Sequence, residues 1–296
     1  MAPRFSAPES RLPSSPDSLT RISMQQRNIT FIGAGNMAQA IIAGLVDNGY
    51  PVHLITVCAP SATHRDALAE RYGVQSSGDN LRGVRAADVV ILAIKPQLIA
   101  QVCDTLRGEI DFSGKLVLSI AAGVTVSRFY ALLGENIAIV RVMPNTPCLV
   151  GQGMSGLYAP PQTREEDRAF SAQLMGAVGK LCWLEQESDI NGVIAAAGSA
   201  PAYFFLFMEA MQQQAQAMGF DESTSRTLVL QAAAGAAALA AEAGDTPFAT
   251  LRQNVTSTGG TTAAALQVFE QQQLHRTVAS AMQAAVARAE EMEKLF

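Results

Sequence analysis

The first residues with a clear chemical use form the glycine turn Gly33-x-Gly35-x-x-Ala38, which follows a short apolar run and precedes a helical pattern. In that setting Gly33 permits a tight turn, Gly35 lets a pyrophosphate approach the backbone, and Ala38 takes the place of a third glycine. Asn36 and Met37 open the helix whose N-terminus would face the phosphates. The motif predicts a dinucleotide-binding site; a plain glycine turn is the alternative.

The end of the next strand indicates which dinucleotide is bound. An acidic residue about 20 positions after the glycines would bind the ribose 2′-hydroxyl of NAD. Cys58 stands there, and no carboxylate lies between it and Arg65. Ser61, Thr63 and Arg65 carry donors that suit a 2′-phosphate. The pattern favours NADPH, with NADH as the alternative cofactor, although an Arg that simply faces solvent at a helix start is also common.

Two proline-framed segments end later strands. Lys95, in Ala93-Ile94-Lys95-Pro96, either lines the cofactor cleft or caps its strand into solvent. Asn145, in Met143-Pro144-Asn145-Thr146-Pro147, can both donate and accept hydrogen bonds, so it suits a nicotinamide carboxamide. The alternative for Asn145 is a structural role in a turn between domains.

A hydroxyl-rich run, Asn254-Val-Thr-Ser-Thr-Gly-Gly-Thr-Thr262, precedes the last helical pattern. Hydroxyls, two glycines and a helix N-terminus together form an anion nest. A substrate carboxylate fits this run better than a phosphate, because the run contains no basic residue. The alternative is an ordinary helix cap with glycines for the turn.

These segments need a scaffold, and the pattern of the chain supplies one. From residue 28 to about 162, short strand patterns alternate with helical ones, which predicts a Rossmann-type α/β fold with a doubly wound parallel sheet. After residue 163 strand patterns vanish, so residues 163–296 are predicted to form an all-α dimerisation and substrate domain. Residues 1–27, with four prolines, are predicted to be a disordered tail.

The composition excludes several classes of protein. Apolar residues make up 49% of the 296 residues and charged residues 16%, with a net charge of −5. This charge provides no basic field for nucleic acid, and the composition is not that of a disordered chain. The four cysteines show no metal-ligand spacing, which predicts reduced thiols in a cytoplasmic protein and no metal site.

The apolar surface that so few charges leave uncovered must still be covered. No uninterrupted apolar run approaches the ~18 residues of a membrane span, so a second subunit is the preferred cover. The Ala-rich helices after residue 185 are apolar around much of their circumference. They include one long helix predicted over 261–295. We therefore expect an intertwined homodimer built by the C-terminal domain and no membrane association.

The helical half also lacks a strong general acid. Between Glu185 and Glu290 it contains no lysine and a single histidine, His275. Such a site suits a substrate that needs little acid catalysis, and a protonated imine is already activated at carbon.

Taken together, the motifs resemble those of the 1-pyrroline-5-carboxylate reductases, from residue 28 to about 295. Each segment is weak evidence alone, but their combination in this order is specific. The matching segments are Phe31-Ile-Gly-Ala-Gly-Asn-Met-Ala38, Ala93-Ile-Lys-Pro96, Ser119-Ile-Ala-Ala-Gly-Val-Thr125, Met143-Pro-Asn-Thr-Pro147, Gly198-Ser-Ala-Pro-Ala-Tyr203 and Val255-Thr-Ser-Thr-Gly-Gly-Thr-Thr262.

The resemblance implies NAD(P)H-dependent reduction of 1-pyrroline-5-carboxylate, a cyclic imino acid, to L-proline, the last step of proline biosynthesis. It also implies a dimer with interlocked helical domains, often assembled into decamers. By position, Ala93, Lys95 and Pro96 match the family's cofactor-cleft segment. Asn80 matches an asparagine that contacts the adenosine ribose.

The same resemblance assigns the substrate loop. Ser257, Gly260, Thr261 and Thr262 match the residues that hold the substrate carboxylate, with Gly259 in the same run of backbone N–H groups. Thr262 matches the threonine proposed to hydrogen-bond the ring nitrogen, and it is the predicted catalytic residue.

Two departures and two rival functions accompany this assignment. Thr258 stands where the family usually has proline, and Ala200 where it usually has glycine. Neither change removes a donor to the substrate, so we expect activity. The rivals are a β-hydroxyacid-dehydrogenase-like reductase, whose helical-domain lysine has no counterpart between Lys180 and Lys294, and a non-catalytic NADP-binding module.

Overall fold

The computed structural model describes residues 25–296. The first half of the chain forms one eight-stranded sheet with the order β3-β2-β1-β4-β5-β6-β7-β8. Strands β1 to β6 run parallel, whereas β7 is antiparallel to β6 and β8 runs parallel to β7. The strands are β1 Ile29–Ile32, β2 Ile55–Cys58, β3 Gln75–Ser77, β4 Val89–Leu92, β5 Leu116–Ser119, β6 Ala138–Met143, β7 Gly153–Tyr158 and β8 Gly179–Trp183.

Apolar strands explain why both faces of this sheet are covered. Along β4 all four residues are buried; Val89 and Ile91 belong to one core cluster and Val90 and Leu92 to the other. Successive side chains of a strand point to opposite faces, so a continuous apolar strand needs helices on both. The helices of this region are α1 Asn36–Asp47, α2 Ala62–Tyr72, α3 Asn80–Ala86, α4 Pro96–Leu106, α5 Val126–Leu133 and α6 Glu165–Gly176.

The helices are divided between the two faces. Buried side chains of α1, α2 and α6 belong to one cluster, and those of α3, α4 and α5 to the other. The strand order reverses direction between β1 and β4, so a crevice opens there at the carboxyl ends of the strands. The predicted doubly wound α/β fold is confirmed.

Two expectations about boundaries need correction. Strand patterns do not end before residue 163, because α6 packs on the sheet and β8 pairs with β7, which extends the sheet region to Trp183. The short β8 sequence Gly-Lys-Leu-Cys-Trp lacks the apolar run of a central strand. Of the tail predicted over residues 1–27, residues 1–24 lie outside the described part of the chain. Arg27, however, is buried and forms an ion pair with Asp167.

The rest of the chain is helical. A 29-residue helical stretch, Asp189–Ala217, contains one π-helical turn, Ile194–Gly198. Its flanking segments are α7 and α8. The helices of this region are α7 Asp189–Val193, α8 Ala200–Ala217, α9 Glu222–Glu242, α10 Phe248–Asn254, α11 Thr261–Gln271 and α12 Leu274–Leu295.

The predicted single helix over 261–295 is wrong. The helix is interrupted at Gln272 and Gln273, and Gln273 adopts a left-handed φ of +56° before α12 begins. The last turns of α12 return to the sheet region, where Met292 packs on the backbone at Gly123 and Arg128 Nε donates to the carbonyl of Phe296 over 2.7 Å.

A charged cluster around Arg141 joins the two regions. The buried Arg141 side chain, in β6, places Nη1 2.7 Å from Glu187 Oε1 and 3.4 Å from Glu293 Oε1. Glu187 Oε1 also accepts the N–H of Val126 over 2.6 Å, and Glu293 Oε2 accepts Asn191 Nδ2 over 3.3 Å. One guanidinium therefore ties together β6, the start of α5, the entry to α7 and the end of α12.

Much of the helical region has no cover within one chain. Phe204, Phe205 and Leu206 on α8 are each about two-thirds exposed. Asp189–Ala217 is long and apolar enough to cross a membrane by length and composition alone. Only 17% of its apolar 18-residue segment is buried within the chain. The predicted need for an external cover is thus localised to α8 and the helices beside it.

Candidate active site

The glycine turn brings two strand ends together. Gly33 has a φ of +112°, which L side chains rarely adopt, and a Cβ there would overlap the carbonyl oxygen of Ala93. The Ala93 N–H in turn donates to the Ile32 carbonyl over 2.8 Å. The β1–α1 and β4–α4 turns therefore touch, and only glycine fits at position 33.

The first turn of α1 fits a dinucleotide phosphate. Gly35 is the N-terminal cap, is exposed, and has open space where its Cβ would be. Among the described residues no side chain caps this helix, and its first turn contains no acid. The N–H groups of Asn36, Met37 and Ala38 therefore lack helical partners and are free for an anion.

Arg65 lies in the first turns of α2, and its guanidinium folds back on the loop that joins β2 to this helix. Nη1 donates to the carbonyls of Ala59 over 2.9 Å and Pro60 over 3.2 Å. Nε lies 3.2 Å from Asp66 Oδ1. Ser61 Oγ is 3.2 Å from His64 Nδ1 and is exposed. Ser61, the N-terminal cap of α2, and Arg65 thus lie close together after β2, where a 2′-phosphate contact stays a prediction.

The other residues predicted to bind the cofactor also lie at the carboxyl edge of the sheet. Asn80 opens α3, whose cap is Asp79, and is half-buried. Lys95 caps α4 with an exposed side chain, and Pro96 occupies the first turn of that helix. The exposure of Lys95 is compatible with both of its interpretations. Its place beside Ala93 keeps it next to the glycine turn.

Asn145 is buried, with 8% of its surface exposed, and its side chain is already engaged by the protein. Its Nδ2 donates to the carbonyl of Ala197 over 3.1 Å, and its Oδ1 accepts the N–H of Met154 over 2.9 Å. The structural role in a turn therefore accounts for Asn145. The predicted contact with a nicotinamide carboxamide stays untested.

The hydroxyl-rich loop forms a compact turn at the start of α11. Gly259 has a φ of +71°, the Gly260 N–H donates to the Ser257 carbonyl over 3.1 Å, and Gly260 caps the helix. No side chain in the described part of the chain caps α11. The N–H groups of Thr261 and Thr262 are therefore open to an anion, and both residues are exposed.

Within one chain, the hydroxyl-rich loop is not hydrogen-bonded to the crevice beside the glycine turn. Across residues 25–296, no hydrogen bond links residues 255–262 to the sheet region. Helix α11 packs on α12. Gly33, Gly35, Ala93 and Lys95 thus form one group at the sheet, whereas the substrate-loop residues form a second group on the helical region.

The four thiols and the potential metal ligands can be located in the structure, whereas the expected absence of a metal site stays a prediction. All four cysteines are free; Cys58, Cys103 and Cys148 are buried and Cys182 is partly exposed. Burial raises the pKa of Cys58 to about 11 and that of Cys103 to about 12. Within the described residues, no cluster of three potential metal ligands occurs.

The sequence interpretation missed the Arg141 cluster. The signal was a single arginine inside the otherwise apolar run Ala-Ile-Val-Arg-Val-Met of β6. A buried arginine is rare without partners, but its carboxylate partners, Glu187 and Glu293, are too distant in sequence to be identified by spacing.

Comparisons with known proteins agree with this architecture. A family model described as pyrroline-5-carboxylate reductase dimerisation matches residues 187–292. A second model, described as NADP oxidoreductase, coenzyme F420-dependent, matches residues 28–123. The two matches correspond to the helical region and to the part of the sheet that carries the glycine turn.

Relatives match along nearly the whole chain. A pyrroline-5-carboxylate reductase from Vibrio alginolyticus is 58% identical over 273 residues, which are 92% of this chain and 100% of that protein. The solved structure of a pyrroline-5-carboxylate reductase from Coxiella burnetii is 41% identical, with a TM-score of 0.85 over 90% of this chain and 98% of that one.

A more distant structure was solved with its cofactor bound. The Plasmodium falciparum pyrroline carboxylate reductase, solved with NADP bound, is 27% identical, with a TM-score of 0.81 over 91% of this chain and 99% of that chain. Identity, coverage and fold agree along the length of the chain, which therefore belongs to the pyrroline-5-carboxylate reductase family.

Proposed function

We propose that this chain reduces 1-pyrroline-5-carboxylate to L-proline with NADPH. The observation that carries the proposal is the open, acid-free first turn of α1 against the β4–α4 turn, in a chain that matches a pyrroline-5-carboxylate reductase over 92% of its length. This turn supplies the dinucleotide site that the reaction needs.

NADPH, when bound, supplies the hydride that reduces the C=N carbon. The chain's part is to hold the dinucleotide: the N–H groups at Gly35, Asn36 and Met37 bind the pyrophosphate, and the segment Ala93-Ile94-Lys95-Pro96 borders the crevice. Asn80 contacts the adenosine ribose. Ser61 and Arg65 bind the 2′-phosphate and so select NADPH. The Arg65 guanidinium must first leave the carbonyl groups of the preceding loop, to which it donates hydrogen bonds in this structure.

The imino acid is held by the hydroxyl-rich loop. Backbone N–H groups of Ser257 and of Gly259, Gly260, Thr261 and Thr262 bind the substrate carboxylate, because an uncapped helix N-terminus favours an anion. Thr262 Oγ1 hydrogen-bonds the ring nitrogen. Positioning, rather than acid catalysis, supplies most of the rate, since an imine already protonated at nitrogen is activated for hydride attack at carbon and yields the amine without a further proton.

A homodimer completes this arrangement. The apolar faces of α8 and α9 are exposed in one chain, and a second copy of the same helices is the simplest cover. The dimer also offers a second substrate loop to each crevice. Further assembly into a decamer, a cytoplasmic location, and the absence of nucleic-acid and membrane partners complete the proposal.

The first experiment assays the purified protein with racemic 1-pyrroline-5-carboxylate and NADPH. Thr262→Ala should lower kcat about tenfold or more, because a contact with the reacting ring is lost, while the Kd for NADPH stays within about twofold. Thr105→Ala removes an exposed hydroxyl on α4 and serves as the matched control. Equal activity of Thr262→Ala and wild type would remove Thr262 from the reaction.

The assay also separates the rival functions. An inactive wild-type protein that still binds NADPH would be the non-catalytic module. Turnover of a β-hydroxyacid with no turnover of the cyclic imine would support the dehydrogenase-like reductase.

Cofactor choice is tested at Arg65. Arg65→Ala should raise the KM for NADPH about tenfold and leave that for NADH unchanged, because an ion pair with the 2′-phosphate is lost only for NADPH. Arg71→Ala, an exposed arginine on the same helix, is the control. A variant with unchanged preference for NADPH would place the 2′-phosphate elsewhere.

A further inference from the structure

The helical stretch Asp189–Ala217 is interrupted at Ser199, between its π-helical turn and α8, and Pro201 lies in the first turn of α8. Pro201 has no backbone N–H, so the carbonyl four residues earlier, at Ala197, loses the partner that an α-helix would give it. Ala197 lies in the π-helical turn Ile194–Gly198 that precedes α8. A carbonyl of this kind needs another donor if it is buried.

Asn145 is that donor. Its Nδ2 donates to the Ala197 carbonyl over 3.1 Å, and Oδ1 of the same side chain accepts the N–H of Met154 over 2.9 Å. Met154 belongs to β7, and Asn145 follows the end of β6. A single buried amide therefore connects β6, β7 and the helical stretch that contains Pro201.

The packing around this amide is close. A Cβ at Gly198 would lie 2.8 Å from Met143 Cε, so the π-helical turn approaches the end of β6 directly. The same turn packs on α12, and α12 in turn contacts α11, which begins at the substrate loop. Movement at Ala197 would thus be transmitted to both α8 and the α11–α12 pair.

We propose that Asn145 is a positioning residue that replaces the helix hydrogen bond lost at Pro201 and thereby fixes the helical region against the cofactor edge of the sheet. The proposal rests on the proposed function, because its effect on turnover is an effect on imine reduction. Asn145 acts through the Ala197 carbonyl and needs no contact with substrate or cofactor. This role differs from the nicotinamide contact expected from the sequence. A nicotinamide carboxamide would have to compete with Ala197 and Met154 for the same Asn145 side chain.

The test is a double-mutant cycle with Pro201. Asn145→Ala should lower kcat/KM for the imine about tenfold, as expected for a partly buried carbonyl left without a donor, and leave the Kd for NADPH within about twofold. Pro201→Ala restores an N–H four residues after Ala197. Asn145→Ala combined with Pro201→Ala should therefore have a kcat/KM within about twofold of Pro201→Ala alone.

Asn145→Asp separates the two hydrogen bonds. It keeps an acceptor for Met154 but places a carboxylate oxygen against the Ala197 carbonyl, so it should lose at least as much kcat/KM as Asn145→Ala and be rescued less by Pro201→Ala, because the repulsion between the two oxygens stays. Weaker NADPH binding in proportion to the activity loss would instead assign Asn145 to the nicotinamide. Failure of Pro201→Ala to rescue Asn145→Ala would also overturn the proposal.

The same cycle is followed by thermal unfolding without substrate. A lower melting temperature of Asn145→Ala that Pro201→Ala restores supports the hydrogen-bond replacement even if the wild-type protein does not reduce the imine. An inactive wild type would therefore overturn the proposed function, whereas an unrestored melting temperature would overturn the role of Asn145.

Discussion

The sheet region and the helical region use apolar residues in opposite ways. The largest fully buried side chains all lie between Ile29 and Phe170. Among residues 25–296, all the exposed large apolar side chains lie in the helical region except Leu98, Leu149 and Val150. The sheet region completes its core within one chain, while the helical region presents its apolar faces outward.

This difference explains the composition. A chain with 49% apolar and 16% charged residues has few charges with which to cover its helices. Soluble monomers rarely expose contiguous apolar patches this extensive, so such faces mark an interface. The stability of the helical region should consequently depend on assembly, and that of the sheet region on its own packing.

The largest effect is expected from a cavity in the sheet region. Phe129→Ala in α5 removes a fully buried ring and should lower the free energy of unfolding by about 3–5 kcal/mol. Denaturant unfolding at several protein concentrations measures this loss, which should not vary with dilution. Phe205→Ala, at a site 64% exposed in one chain, is the matched change; its midpoint should fall on dilution. A loss of stability independent of dilution in both variants would show that the helical region does not depend on assembly.

An intermediate effect is expected where the two regions meet. Arg141→Met leaves the carboxylates of Glu187 and Glu293 without their shared cation and should cost about 2–3 kcal/mol. The exposed pair of Arg85 and Glu109 provides the control, since Arg85→Met should cost under ~1 kcal/mol. Equal unfolding midpoints for the two variants would show that Arg141 does not join the regions.

The smallest effect is chemical and leaves the fold unchanged. Burial raises the pKa of Cys58 to about 11 and of Cys103 to about 12, so at pH 8 almost none of either thiol is in the reactive thiolate form. Alkylation of the native protein at pH 8, read by mass spectrometry, should label the partly exposed Cys182 first. Rapid labelling of Cys58 or Cys103 would mean that the sheet region opens more readily than its packing indicates.

The sequence predicted the features that depend on local pattern. The glycine turn and the alternation of strands with helices follow from backbone conformation and period, and the structure contains both. Gly33 illustrates why: its left-handed φ and its contact with Ala93 leave no room for another residue.

What the sequence did not predict depends on contacts between distant segments. Strand β8 has little apolar periodicity and is recognised only through its pairing with β7. The role of Asn145 was ambiguous because the same amide suits a ligand or a carbonyl, and only the position of Ala197 favours the second. The partners of Arg141 lie 46 and 152 residues away in the chain.

The direction of the last two strands has a consequence for where the helix after the sheet lies. Because β7 and β8 run opposite to the other six strands, β8 ends at the amino ends of β1 to β6, and the helix that follows it runs back toward their carboxyl ends. Val193 lies at the level of Gly156 in β7, and four residues later Ala197 reaches Asn145 beyond the end of β6. Had β7 and β8 kept the polarity of β6, the same helix would point to the opposite edge. Two reversed strands therefore set the direction of the first helical stretch, and they direct it toward the sheet edge that carries the glycine turn.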